Sequence, residues 1–426
     1  MDSNVIYSII YSLLYIIMFL FYQSKYKEIN IGSFLLFIWI ISSICGALYE
    51  LNPIFSHYNS IALCGMLYLF ILNYFLFRPV LRIPFQDVTG IVCNIGAVCW
   101  LALFILVLSI FPLIENIKFI LTSGGGASIN NDLIQDRYND ASETYHYMTS
   151  MSVICTKCSK SLGIVALVLI FHSLTLKGRL MKVVFIASFV CILNQFVEAF
   201  CVGSRVTIAI NGLVLIFIYI LYRPYIEIII LKRIKAIALI CIIPVIIGFA
   251  FITITRYNDL PFTGRTLLSQ WVLQYAGESH GNFGADAWSL DYRNYGNDIV
   301  SNVFKQVFLG IDYDREGTLA RNPFPDDCKN VQFYTVVGTF FIPYGAFWTL
   351  IMVLTVSWFC SSHFKLKRIV SLSKIIMIVF YSKILLLGFT YFCYAFDNWQ
   401  MVSTPIAAFI LMIFEKANSR EIVVKR

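Results

Sequence analysis

Apolar residues along this chain gather into long runs separated by polar connections, and the runs do not alternate with a period of two. Eleven of them occupy roughly residues 5–22, 31–49, 60–77, 89–112, 159–176, 182–201, 206–222, 236–254, 334–359, 372–395 and 401–415. A bilayer-crossing helix needs about 20 mostly apolar residues, whereas a barrel strand shows about ten residues of alternating character. The pattern therefore predicts an all-α polytopic membrane protein with about 11 transmembrane helices, forming a single integral membrane domain over residues 1–426.

Two long polar segments interrupt the runs, at residues 113–158 and 256–333. The second is far longer than an ordinary helix connection, and such lengths are usually functional or disordered. Leu268, Trp271, Val272 and Tyr275 recur at helical spacing within it, as do Val300, Val303, Phe304, Val307 and Phe308. That spacing predicts two amphipathic helices lying against the membrane surface. Glu278, His280, Asp286 and Asp291 fall between these two patterns.

Composition agrees: 59% of residues are hydrophobic and 13% charged, and the mean hydropathy is +0.77. The net charge of +8 is not evenly spread. Basic residues fill every second connection, through clusters such as Lys25 and Lys27, Arg78 and Arg82, Lys177 and Arg179, Lys232 and Arg233, and Lys365, Lys367 and Arg368. That face carries 19 basic and five acidic residues, against 12 basic and 19 acidic on the other, with Lys383 inside the membrane. The positive-inside rule puts the basic face in the cytoplasm, with the N-terminus outside and uncleaved. The basic balance thus reports topology, and no nucleic-acid partner is expected.

The lone pair Cys155 and Cys158 has no second pair or histidine at ligand spacing, so it reads as structural and no metal is expected. Cys328 stands alone in the long segment. The glycine run within Ser123–Ala127 lacks the lysine and strand context of a phosphate loop and reads as a hinge. His146 reads as an ordinary polar contact, and His172 and His363 as surface or interfacial residues. More informative are polar positions inside the runs, where ionisable groups are costly and face protein or a cavity. Asn194, Glu198, Cys201 and Arg205 share one helical face, and Lys383 shares another with Thr390, Tyr394 and Asp397. Glu198 or a lipid phosphate would offset the cost of Lys383.

From Gly203-Ser204-Arg205 and the run beginning Val206-Thr207-Ile208, the chain resembles the Wzy-type oligosaccharide repeat-unit polymerases of O-antigen and capsule synthesis. Gln274-Tyr275-Ala276-Gly277-Glu278, Asn330-Val331-Gln332-Phe333-Tyr334-Thr335 and Phe341-Ile342-Pro343-Tyr344-Gly345 agree, as do Arg265 and Gly281 with fifteen residues between them. The resemblance implies a GT-C-like glycosyltransferase in the bacterial cytoplasmic membrane, without cofactor. It would polymerise undecaprenyl-diphosphate-linked oligosaccharide repeat units on the outer face, with membrane lipids, a chain-length regulator and a flippase as partners. Such chemistry needs cations for the leaving diphosphate, for which Arg205, Arg256, Arg265 and Arg321 are candidates, together with Glu198 and Lys383. It also needs a base, Glu278 or His280. An O-antigen ligase and a lipid-linked oligosaccharide flippase are the alternatives.

Overall fold

The computed structural model describes residues 2–52, 59–83, 87–122, 145, 147–202, 204–236, 273–290, 334–366, 368–393, 398–417 and 422–425. They divide between two compact units. The first comprises Met1–Ile83, Thr263–Lys365 and Tyr381–Asn398, and the second Pro84–Phe262, Leu366–Phe380 and Trp399–Arg426.

In the first unit, α1 (Ser3–Tyr26), α2 (Ile31–Leu51) and α3 (Leu63–Leu81) match the first three predicted runs. Their ends are set by local chemistry: Asp2 caps α1, Lys27 closes it in the left-handed region, and Asn30 and Ser33 form a reciprocal capping box on α2. A short helix α9 (Gln274–Asn282) continues into a π-helical turn at Phe283–Ala287, and α10 (Thr335–His363) follows. The C-terminal part of α11 (Leu372–Leu387), from Tyr381 onward, completes this unit. Its core is aromatic, with Tyr11, Tyr15, Trp39, Phe77, Phe283 and Phe341 fully buried.

Apolar surroundings offer no water to an interrupted helix, so each freed carbonyl needs a side-chain donor. Pro79 has no N–H to give the Phe75 carbonyl, and the Ser357 hydroxyl donates to it at 2.6 Å. In α10, Gly345 adopts φ 73° and breaks the helix, and the nearby Ala346 carbonyl accepts the Tyr68 hydroxyl at 2.5 Å. Trp39 donates its indole N–H to the Leu385 carbonyl at 2.8 Å in the last turn of α11.

The second unit contains α4 (Ile95–Thr122), α5 (Ser150–Ser161), α6 (Gly163–Ser173), α7 (Arg179–Cys201), α8 (Arg205–Tyr222) and α12 (Asn398–Ala417). The predicted run at 159–176 is two helices: α5 and α6 are bent by 60° at Leu162. The predicted start of the fourth run is also displaced. Residues Gly90–Cys93 form strand β1, and α4 starts only after Asn94, whose side chain accepts from the Ala97 N–H at 3.1 Å. β1 pairs in parallel with β2 (Ile369–Ser371) and antiparallel with β3 (Ile422–Lys425), in the order β2-β1-β3. Gly90-Ile91-Val92-Cys93 is as apolar as the helix after it, so hydropathy alone merges the two. All three strands come from connections that the basic-residue count assigns to one face.

Seven of the described helices are long and apolar enough to cross a membrane, or eight if the bent pair α5–α6 is one span. Large apolar side chains such as Leu20, Phe21, Trp100, Phe111 and Phe409 stay exposed on their outer faces, as lipid contact requires. This defines an all-α polytopic membrane protein with one small sheet. In a cysteine-free background, single cysteines at Thr89, Lys177 and Glu227 should react with an impermeant maleimide from one side, and one at Thr149 from the other. Reaction of all four from the same side would break the assigned order of crossings.

Candidate functional site

Of the long 256–333 segment, residues 273–290 are described, and Gly277–Ala287 within them are buried. Glu278, His280 and Asp286 are 1%, 2% and 5% exposed. Backbone proximity explains how a polar helix is accommodated. A Cβ on Gly277 would sit 2.4 Å from the Cys45 carbonyl carbon, and one on Gly46 would sit 3.0 Å from the Gly277 carbonyl oxygen. Two glycines thus let α9 lie directly on α2, the small-residue packing that apolar helix pairs favour.

That closeness brings Ser42 within reach of α9. Its hydroxyl donates to the Ala276 carbonyl at 2.5 Å and lies 2.8 Å from His280 Nε2. A hydroxyl has one proton, so His280 donates from Nε2 and its Nδ1 is the unprotonated nitrogen. Among the described residues Nδ1 has no hydrogen-bond partner. The ring is enclosed by Tyr11 and Trp39, with centroids at 5.1 and 5.8 Å. At nine residues α9 is too short to span a bilayer, and burial pushes the His280 pKa down to about 3. Beside it, Asn73 donates to the Tyr15 hydroxyl at 3.1 Å and the Tyr11 hydroxyl at 3.4 Å, and the two hydroxyls are 3.1 Å apart. Glu278 is two residues from His280, about 200° around the helix, and so projects from a different face. The π-helical turn is tied down by Asn59, which donates to Asp286 at 3.1 Å, and by the Ala62 N–H, which donates to the Gly284 carbonyl at 3.0 Å. Lys383 is also in this unit, 4% exposed.

The second unit contains the other cluster. Glu198 is 1% exposed near the end of α7. Its Oε1 accepts from the Lys160 ammonium at 2.7 Å and the Tyr145 hydroxyl at 2.6 Å. Burial first, then the adjacent Glu198 charge, raises the Tyr145 pKa, which keeps that phenol a donor. One turn earlier, Asn194 accepts from Asn116 at 3.0 Å, and Asn116 accepts from Tyr147 at 2.8 Å. The bend at Leu162 is held by α12, where Gln400 donates to the Lys160 carbonyl at 3.1 Å and Ser403 to the Ser161 carbonyl at 2.7 Å.

Among the predicted site residues, Asn194, Glu198 and Cys201 do share one buried face. α7 ends at Cys201 and Arg205 is the first residue of α8, so the helical spacing that related Arg205 to that face is interrupted. Glu198 has Lys160 as an ion-pair partner. His172 is fully buried and 3.1 Å from the Cys93 thiol, which corrects its surface assignment. Arg256, Arg265, Arg321, Asp291, Cys328, His146, Tyr394, Asp397, the glycine run at 123–127 and both amphipathic patterns except Tyr275 lie outside the described residues. Lys160, Tyr145, Ser42 and Asn73 were missed. Asn73 was detectable as a lone amide inside an apolar run, whereas Lys160 meets Glu198 only through tertiary packing. No described group of histidine, cysteine and acidic residues is arranged to hold a metal. No family model, curated protein or solved structure matches the chain.

Gly277→Ala should lower the unfolding temperature in detergent, because the new methyl has only backbone to displace. Gly212→Ala, with open space around its Cβ, should stabilise by about 0.5–1 kcal/mol. Equal shifts of one sign would remove the close-packing explanation. Separately, a double-mutant cycle of Lys160→Met and Glu198→Gln should give a coupling of about 0.5–3 kcal/mol, and strict additivity would count against the ion pair.

Proposed function

We propose that this chain is a GT-C-like membrane glycosyltransferase that polymerises undecaprenyl-diphosphate-linked oligosaccharide repeat units at the outer face of the bacterial cytoplasmic membrane, with about 11 spans and its N-terminus outside. The observation that carries the reading is the insertion of α9, from the longest polar segment, into an apolar helical unit. A purely structural connection has no reason to bury a carboxyl and an imidazole there. Glycosyl transfer does, because the attacking hydroxyl needs a proton acceptor away from water. His280 is enclosed by α1 and α2 and held neutral, so Glu278 is assigned as the base and His280 as the residue that fixes α9. The sequence resemblance supports the substrate class, and Arg205 and Arg265 are assigned to the diphosphate, which guanidinium contacts through paired hydrogen bonds.

A second reading, a lipid-linked oligosaccharide flippase, draws on the bent pair α5–α6 and the Lys160–Glu198 pair beside it, since transporters bind substrate at broken helices. An O-antigen ligase is the third. Purified protein with purified lipid-linked repeat unit separates them: a polymerase alone lengthens the glycan without further protein or a lipopolysaccharide acceptor. Glu278→Gln should lower that rate by about 10²–10⁴-fold, and Arg205→Lys and Arg265→Lys by about 10–100-fold. A wild-type protein that makes no polymer but moves lipid-linked unit across vesicles would replace this reading with the flippase.

A further inference from the structure

We propose that Asn194 and Glu198 together bind one hydroxyl group of a carbohydrate, with Lys160 at the entrance to the site. The inventory of donors and acceptors in the cluster leads to this. Glu198 Oε1 accepts from Lys160 and Tyr145, at 2.7 and 2.6 Å, while Oε2 is buried without a partner among the described residues. Asn194 Oδ1 accepts from Asn116 at 3.0 Å, while its Nδ2 is buried without a partner among the described residues. The two side chains are 1% and 0% exposed and lie four residues apart on α7, the spacing that places side chains about 5–6 Å apart on one face.

One unused donor and one unused acceptor at that spacing select the chemistry of what completes them. A phosphate would meet the Glu198 carboxylate and be repelled. A cation would compete with the ammonium already on Oε1. An apolar group would leave both atoms unsatisfied. A hydroxyl satisfies both, accepting from Asn194 and donating to Glu198, and its proton rotates to suit. The cluster is also built to persist: Tyr147, stacked on Phe119 at 4.1 Å, holds Asn116. Gln400 and Ser403 fix the backbone of Lys160 and Ser161. Lys160 is 31% exposed and gives the cluster its open side. The choice of carbohydrate over other hydroxyl compounds rests on the glycosyl-transfer reading, while the donor–acceptor pair does not.

The probe is the free oligosaccharide released by mild acid from the producing cell's lipid-linked repeat unit. Binding to the full chain in nanodiscs is followed by saturation-transfer NMR. The wild type should bind it. Asn194→Asp leaves two acceptors, and Glu198→Gln puts an amide at the carboxylate. Each should weaken binding about tenfold, the equivalent of about 1.4 kcal/mol. The double variant Asn194→Asp/Glu198→Gln exchanges donor and acceptor at constant charge, so a rotating hydroxyl should regain most of the lost affinity, an outcome that a merely structural role cannot produce. Wild-type affinity in both single variants, or no recovery in the double, would show that the pair holds water only and overturn the site. If the wild type polymerises lipid-linked unit while the variants bind normally, this inference alone fails. If it binds and the exchange recovers affinity but no polymer forms, the site stands and the polymerase reading falls. If it neither binds nor polymerises, both fail.

Discussion

The contact on which the first unit depends is that of two glycines, Gly46 and Gly277, where backbone meets backbone with no room for a methyl group. Water usually tolerates a polar helix because it solvates the outward face. Here α9 is enclosed, and its polar side chains have to be met by partners at short range. The glycine contact makes that possible, since it brings the Ser42 hydroxyl to both the Ala276 carbonyl and the His280 ring. A wider helix separation would leave a buried imidazole and a buried hydroxyl each without a partner, at a cost of about 1–3 kcal/mol apiece.

The same economy of hydrogen bonds explains where the helices are allowed to break. Pro79, Gly345 and Leu162 each interrupt or bend a helix in apolar surroundings, and each lies beside a carbonyl that accepts a side-chain hydroxyl: Phe75 from Ser357, Ala346 from Tyr68, and Ser161 from Ser403. The donors come from other helices, so a break in one element is specified partly by the sequence of another. This is how the ion pair of the second unit is positioned. Lys160 reaches Glu198 from the last turn of α5, just before the bend that α12 holds in place.

Much of the fold was legible in the sequence because the length of an apolar run is set by the bilayer, independently of its neighbours. α1, α2, α3, α7 and α8 were recovered in this way, as was the shared face of Asn194, Glu198 and Cys201, which follows from helical periodicity alone. What stayed hidden was whatever tertiary partners decide. The stretch Gly90–Cys93 is a strand because β2 and β3 pair with it, not because its hydropathy differs from that of α4. The bend at Leu162 needs α12. The burial of α9 needs Gly46, whose role no local pattern around Glu278 announces. The spacing that put Arg205 in register with Glu198 assumes one continuous helix, whereas α7 ends at Cys201 and α8 starts at Arg205, and periodicity does not carry across such a break.

The small sheet has a consequence for biogenesis. β1 lies before α4, yet both of its neighbours are translated much later, at Ile369–Ser371 and Ile422–Lys425. During synthesis the ribosome therefore delivers α4 to α8 into the membrane while this strand still has two open edges. Gly90-Ile91-Val92-Cys93 is apolar but only four residues long, and a short edge strand is one of the ways proteins limit pairing with foreign strands. The sheet of the second unit thus closes only after both of these distant segments have been translated, about 280 and 330 residues after β1.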